Sequence, residues 1–478
     1  MKNYYRKYVF YYVLCVIASG CTGPVEETEA PKNVILFIGD GMGPTTVTAA
    51  RIFDGQSRGK SGEENVLSFE EFPHVALVKT YNTNQQVPDS AGTATAIHSG
   101  VKTRAGVIAV SPSVKRGSCA ESLTNSLPTV AEIAKAKGIG VGIVTTTRLT
   151  HATPATLYAH SAERNWENDS FLSASARQGG CRDIAHQLIE FKIGDGLDVA
   201  MGGGRREFVG SDLGGLRQDS SDNLIQKWIN QDDNHQFVQD RSELFDIDVS
   251  KQVLGLFAKS HMTYIAERTP DSVEPTLTEM TVKALQVLQN RENGYYLLVE
   301  GGRIDHGHHD GKPGYAMLET QEFARAIQAA VDIVDLDNTL VMVTADHSHV
   351  MTIAGYPTRG NPILGHIVSN DSQGEPRDEP SLDIDGNPYP TLAYINGPAA
   401  AKSEEEWQFR PGLLEIYPSL VAIPYQEPDG STTYDETHGG EDVALYAVGY
   451  GSELVGGVIE QNKIYNFIAE VLFNDGNL

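Results

Sequence analysis

Three strand-like runs in this chain each end on Asp, Glu or His, residue types able to ligate metal ions. Residues 33–38 (NVILFI) run into Asp40. Residues 295–299 (YYLLV) run into Glu300, Asp305, His306, His308 and His309, and residues 339–344 (TLVMVT) run into Asp346, His347, Ser348 and His349. A lone Asp in such a place is as readily a helix cap. Three carboxylate-bearing ends with histidines attached argue instead for zinc or a similar divalent ion, because mixed imidazole and carboxylate sets suit that chemistry. Asp305 and His309 are four residues apart and would share one face of a helical turn, able to grip one ion. The adjacent Asp346 and His347 would aim at another across a bend. His306, His308 and His309 cannot all reach a metal, so one or two of them support ligands or lie at the surface.

A nucleophile candidate is Ser90, in Pro88-Asp89-Ser90-Ala91-Gly92. The small residues after it can form a helix, which places Ser90 at an N-terminus where backbone N–H groups favour negative charge. Taken alone, these residues favour a simple helix cap. A free serine needs a base or a metal to become nucleophilic. Ser90 lies in no Gly-x-Ser-x-Gly elbow, so a metal is the better activator. Residues 144–166 add His151, Thr153, His160 and Arg164. A planar guanidinium can hold two phosphate oxygens at once, although any single Arg is also an ordinary surface charge.

The three runs, with 140–145 (GVGIVT) and 198–201 (DVAM), are continuously apolar and suit strands buried on both faces. Helical periodicity over 129–137, 276–290 and 315–334 falls between them. The alternation predicts an α/β fold, a mostly parallel central sheet with helices on both faces. Sites in such sheets form at the carboxyl ends of strands, which is where the carboxylates and histidines fall. Two stretches break the rhythm. Residues 212–248 are polar and acidic, and 355–437, rich in Pro, Gly, Asn and Asp, read as an insertion of loops and short strands.

With 37 basic and 63 acidic residues the chain carries a net charge of −26, which argues against nucleic acid as a partner. An anionic substrate needs a local positive site, and bound cations supply one. Residues 1–21 have the basic start (Lys2, Arg6, Lys7), short apolar middle and small-residue end of a secretory signal. Ala18-Ser19-Gly20-Cys21 resembles a bacterial lipoprotein processing box, making Cys21 the lipid anchor; ordinary cleavage is the alternative. Residues 22–32 then form a tether. The C-terminal residues are not apolar, against a glycolipid anchor. The expectation is an exported lipoprotein, periplasmic or at the cell surface, held to the membrane by its N-terminal lipid only. Cys119 and Cys181 are left as one disulfide or two buried thiols, and export favours the disulfide.

Together these blocks resemble the alkaline phosphatase family. They stand here as residues 37–43 (FIGDGMG), 89–91 (DSA), 145–148 (TTTR) through 164–166 (RNW), 202–205 (GGGR), 299–309 (VEGGRIDHGHH), 344–347 (TADH) and 437–442 (THGGED), in the family's order. The resemblance implies a phosphomonoester hydrolase with two zinc ions and one magnesium. One zinc takes Asp305, His309 and His438. The other takes Asp40, Asp346, His347 and, during turnover, Ser90. Magnesium takes Asp40, Thr153 and Glu300, and Arg164 holds the phosphate. His151 and His306 stand where the best-known enterobacterial form has Asp and Lys and match the animal-type branch, implying altered magnesium affinity and a raised pH optimum. Cys119 and Cys181 match a disulfide of that branch. The branch also binds calcium near its equivalent of residues 255–258, but Ala258 replaces an acidic ligand there, which argues against a calcium site. The insertion before His438 corresponds to the crown through which the family forms homodimers.

Two other functions compete. A phosphodiesterase or sulfatase of the same superfamily shares the two-metal scaffold, but residues 89–92 lack the Pro and Arg that follow a sulfatase nucleophile, and diesterase relatives lack an Arg164-type clamp. A non-catalytic metal- or phosphate-binding module predicts missing ligands, and none is missing.

Overall fold

The computed structural model describes residues 31–402, 409–426 and 432–474. The signal, Cys21 and most of the tether lie outside them. The centre is a ten-stranded sheet. Eight of its strands are β1 (Asn33–Ile38), β2 (His74–Lys79), β3 (Gly140–Arg148), β4 (Val199–Gly203), β5 (His235–Val238), β6 (Gln252–Leu256), β7 (Tyr295–Glu300) and β8 (Thr339–Thr344). The spatial order is Gly457–Glu460, β2, Val443–Gly449, β8, β1, β7, β3, β4, β6, β5. Val443–Gly449 runs antiparallel to both β2 and β8. The other pairings are parallel.

Every residue of β1, β4, β7 and β8 is buried, as expected of continuous apolar runs covered on both faces. In β2, Val75 and Leu77 face out while Ala76 and Val78 face in. Its sequence does not show this, because residues 75–78 (VALV) are apolar on both faces. Helices flank the sheet in two groups. Pro44–Ser57, Leu277–Leu288 and Pro313–Ile333 pack together, and Lys463–Phe473 packs with Ser90–Ser99 and Val130–Ala136. The three helices expected from periodicity lie within two residues of their predicted starts. Two of them begin at capping boxes, Thr129 with Glu132 and Thr276 with Glu279.

Residues 212–248 are not merely an irregular segment. They supply the outermost strand, β5, and helix Leu224–Ile229. Only Val238 of β5 is fully buried, so the strand carries little apolar signal, while the helix adds Leu224, Ile225 and Trp228 to the core. It is tied down by buried Arg217, which donates to Asp183 Oδ1 at 3.0 Å and Asp222 Oδ2 at 2.6 Å. The stretch 355–437 does hold loops and short strands. Its strand Leu392–Asn396 pairs antiparallel with Met351–Ile353 and parallel with Ser419–Val421.

The register fixes the site. Ile38 lies opposite both Glu300 of β7 and Thr344 of β8. Asp40 and Asp346 each follow two residues later, so they emerge side by side from neighbouring strands.

Candidate active site

Beyond β1 the chain turns through Asp40 and Gly41 into helix Pro44–Ser57. Gly41 has φ +67°, and a Cβ there would lie 2.4 Å from the His349 ring, so the turn requires glycine. Its N–H donates to Asp346 Oδ1 at 3.0 Å. Asp40 is fully buried, and neither carboxylate oxygen has a hydrogen-bond partner. Burial, then the charges of Asp346, Asp305 and Glu300, push its pKa well above the usual carboxylate range. Burial likewise lifts Asp346 to about 6.

His347 Nε2 stands 3.4 Å from Asp40 Oδ1, 3.3 Å from Asp346 Oδ2 and 3.2 Å from Ser90 Oγ. Its Nδ1 meets the Ser348 carbonyl at 3.2 Å. A carbonyl only accepts, so the proton sits on Nδ1 and the Nε2 lone pair faces the cluster. Burial holds the ring neutral, with its pKa pulled down to about 3. Ser90 opens helix Ser90–Ser99, capped by Asp89, whose Oδ1 accepts from the Gly92 N–H at 3.1 Å. Ser90 is therefore both the first helical residue and a hydroxyl aimed at His347.

Helix Arg303–His309 begins just past β7 and carries Asp305 and His309. His309 Nδ1 donates to the Glu436 carbonyl at 2.5 Å, and His438 Nδ1 to the Pro88 carbonyl at 2.7 Å. Both Nε2 atoms then present lone pairs, yet they face each other at 3.2 Å, with Asp305 Oδ1 3.3 and 3.5 Å away. A proton can relieve one such opposition; a cation satisfies all three atoms at once. A third group adjoins Asp40. Glu300 Oε2 accepts from Thr145 and, at 3.1 Å, from Thr147. Glu300 Oε1 and Thr153 Oγ1 are buried without partners. Orphaned buried oxygens are costly, and divalent cations fit both these and the opposed imidazoles. Among the described residues, the ligand atoms of Asp40, Asp346 and His347 lie within 4.8 Å of one another, as do those of Asp40, His151 and Glu300, and those of Asp305, His347, His349 and His438.

Arg164 borders these clusters. Its Nη1 donates to Asp89 Oδ2 at 3.2 Å and its Nη2 to His151 Nε2 at 3.1 Å, so the guanidinium is held from two sides. His306 accepts from Arg303 at 3.0 Å and packs against His151. His308 instead bonds Thr46 and Tyr394, each at 2.9 Å, and locks its helix in place. His160 lies apart, bonded to Glu132 and to the Ala109 carbonyl. Cys119 and Cys181 form a disulfide, bracketing the segment that carries His151, Thr153 and Arg164.

An alkaline phosphatase family model matches residues 31–473. The chain belongs to the alkaline phosphatase family. It is thus a phosphoric monoester hydrolase. It is 42% identical over 457 residues to the tissue-nonspecific isozyme of Gallus gallus, covering 92% of this chain and 84% of that one. A membrane-bound alkaline phosphatase of Bombyx mori is also 42% identical over 457 residues, with 92% and 80% covered. Among solved structures, the alkaline phosphatase of Thermus thermophilus shares the fold with a TM-score of 0.65 at 23% identity, covering 93% and 91%.

Two residues with a place in this alkaline phosphatase site are not singled out by sequence reasoning. His349 places Nε2 2.7 Å from Asp305 Oδ1 and Nδ1 against Glu436 Oε2. Burial pulls its pKa down, but Glu436 and Asp305 outweigh that and lift it to about 10. With a carboxylate on each nitrogen it has no lone pair to give a metal. His261 follows β6, contacts Arg148 and packs 4.2 Å from His306 between ring centroids. A lone histidine beyond an unrecognised strand gives no sequence signal.

Proposed function

We propose that the chain hydrolyses phosphate monoesters through a phosphoserine formed on Ser90, at a centre of two zinc ions and one magnesium. The observation that carries this reading is the 3.2 Å approach of Ser90 Oγ to His347 Nε2, which sets a hydroxyl beside oxygens and nitrogens that lack partners. One zinc would be held by Asp305, His309 and His438, the other by Asp40, Asp346, His347 and Ser90, and magnesium by Asp40, Thr153 and Glu300. When bound, the cations favour ionisation of the serine hydroxyl and of the hydrolytic water at moderate pH and neutralise developing oxygen charge.

The chain's own groups do the rest. The N-terminal end of helix Ser90–Ser99, where the backbone dipoles point their positive ends, favours negative charge on the nucleophile. Ser90 Oγ attacks phosphorus in line, and the P–O bond to the leaving group breaks as the P–Oγ bond forms. Arg164 neutralises equatorial phosphoryl oxygens, kept in aim by Asp89 and His151. Attack of water on the phosphoserine restores the hydroxyl and releases inorganic phosphate.

Rates on nitrophenyl phosphate, its bis ester and the sulfate test the reading. The monoester is expected to be fastest, with activity lost on chelation and restored by zinc with magnesium. A higher diester or sulfate rate overturns it. Ser90→Ala is expected to keep its metal and lose the phosphoseryl intermediate.

The same reading takes residues 355–437 as a crown pairing two chains, with His151 and His306 tuning the magnesium side. It also takes the chain as exported and anchored at Cys21. The disulfide and the membrane-bound relative support export. Among the described residues no helix is long and apolar enough to cross a membrane. Solution mass tests the pairing, and release of Cys21→Ser from the membrane fraction tests the anchor.

A further inference from the structure

We propose that Glu436 is a positioning residue for the Asp305–His309–His438 centre, holding two of its three ligands at once. The inference rests on the metal-centre reading above and concerns a residue outside the ligand sets proposed there, although its carboxylate lies within 4.8 Å of ligand atoms of His309 and His349.

Glu436 is 1% exposed and lies far from both ligands in sequence. Its main chain makes two bonds to His309. The His309 Nδ1 proton goes to the Glu436 carbonyl at 2.5 Å, and the Glu436 N–H donates to the His309 carbonyl at 3.1 Å. This pair fixes both the rotation of the imidazole and its tautomer, leaving Nε2 to face Asp305 and His438. The side chain serves the other ligand. Glu436 Oε2 meets His349 Nδ1, and His349 Nε2 reaches Asp305 Oδ1 at 2.7 Å. The remaining oxygen, Oε1, accepts from the Val350 N–H at 2.6 Å, which stops the carboxylate from rotating. Two residues on, His438 enters the cluster, and Thr437 between them is bonded through its N–H to Asn396 Oδ1 at 2.9 Å. An ordinary buried ion pair would satisfy Glu436 with one partner. Here its backbone carbonyl and one carboxylate oxygen both end on groups that hold or contact ligands of one centre.

The test titrates zinc into the metal-stripped, full-length enzyme against a chromophoric chelator at fixed pH. The proteins compared are wild type, Glu436→Gln, His349→Gln, the double variant, and Asp346→Asn as a comparator for the other zinc. Loss of such an outer partner weakens metal affinity by about 10- to 100-fold. Glu436→Gln is therefore expected to weaken one zinc equivalent by that amount, and a different one from that lost in Asp346→Asn. His349→Gln keeps the Glu436 main-chain bonds and should weaken the same equivalent as Glu436→Gln. The double variant should cost less than the two single effects combined, because both act along one path to Asp305. Zinc binding in Glu436→Gln equal to wild type, equal weakening of every equivalent, or strictly additive effects overturn the inference. Should Glu436→Gln not fold, unchanged zinc affinity in His349→Gln overturns it instead. A wild type that takes up no zinc defeats the underlying metal reading, which is a distinct result.

Discussion

Replacing Glu300 with Gln should change stability in opposite directions depending on whether the metal sites are filled. Glu300 is completely buried, with Oε1 unpartnered, and burial, then the charge of Asp346, lift its pKa from 4.5 to about 7, against the hydrogen bonds of Thr145 and Thr147 that pull it down. A carboxyl whose folded pKa is raised contributes stability that is fully present below its unfolded pKa and is lost as pH rises through the folded value. In chelator, wild type should therefore lose about 3 kcal/mol relative to Glu300→Gln between about pH 4.5 and pH 8. The variant serves as the reference because buried histidines such as His98 and His347, with depressed pKa values, shift both proteins equally and in the other direction. With magnesium added the order should reverse at about pH 8, since the ionised carboxylate binds the cation and an amide binds it less well. Urea unfolding at several pH values, with chelator and with magnesium, measures both. A wild-type-to-variant gap that ignores pH in chelator, or keeps its sign when magnesium is added, would refute the reasoning.

Arg164→Ala should raise the inhibition constant of inorganic phosphate about 10- to 100-fold, as expected for losing charge-assisted hydrogen bonds, with metal content unchanged by elemental analysis. Removing both Cys119 and Cys181 as alanines frees a crosslink spanning 62 residues and should lower the unfolding free energy by up to about 4 kcal/mol; an unchanged urea midpoint would contradict this. His151→Asp should move the pH–rate optimum downward and alter magnesium affinity, and a profile superposing on wild type would remove His151 from that role.

Much of the centre was legible because it is written at strand ends. Asp40, Glu300 and Asp346 follow apolar runs that the structure turns into β1, β7 and β8, and parallel register brings them together without further information. The spacing of Asp305 and His309 needed only one helical turn, which forms. What escaped depended on contacts between distant segments. His349 is indistinguishable from His347 in a string of letters, and only Asp305 and Glu436 on its two nitrogens separate their roles. Strand β5 (HQFV) buries a single residue fully and carries no apolar run that reveals a strand, whereas Val443–Gly449 (VALYAVG) is apolar throughout and did carry that signal. Ser90 reads as a cap from its neighbours. The cap is in fact Asp89, which frees the serine side chain to point at His347.

The sheet order has a further consequence. Asp40, Glu300 and Asp346 leave three strands that are immediate neighbours, β7, β1 and β8. Their mutual spacing is set by the repeat between hydrogen-bonded strands, roughly 4.8 Å, as if ruled on a scale that no surface loop can stretch. The polar outer edge at β5 and the segment from 355 to 437 lie off that scale. Glu436, which reaches the centre from the latter segment through His309 and His349, must therefore be docked against the ruled strands by its own hydrogen bonds rather than by strand pairing.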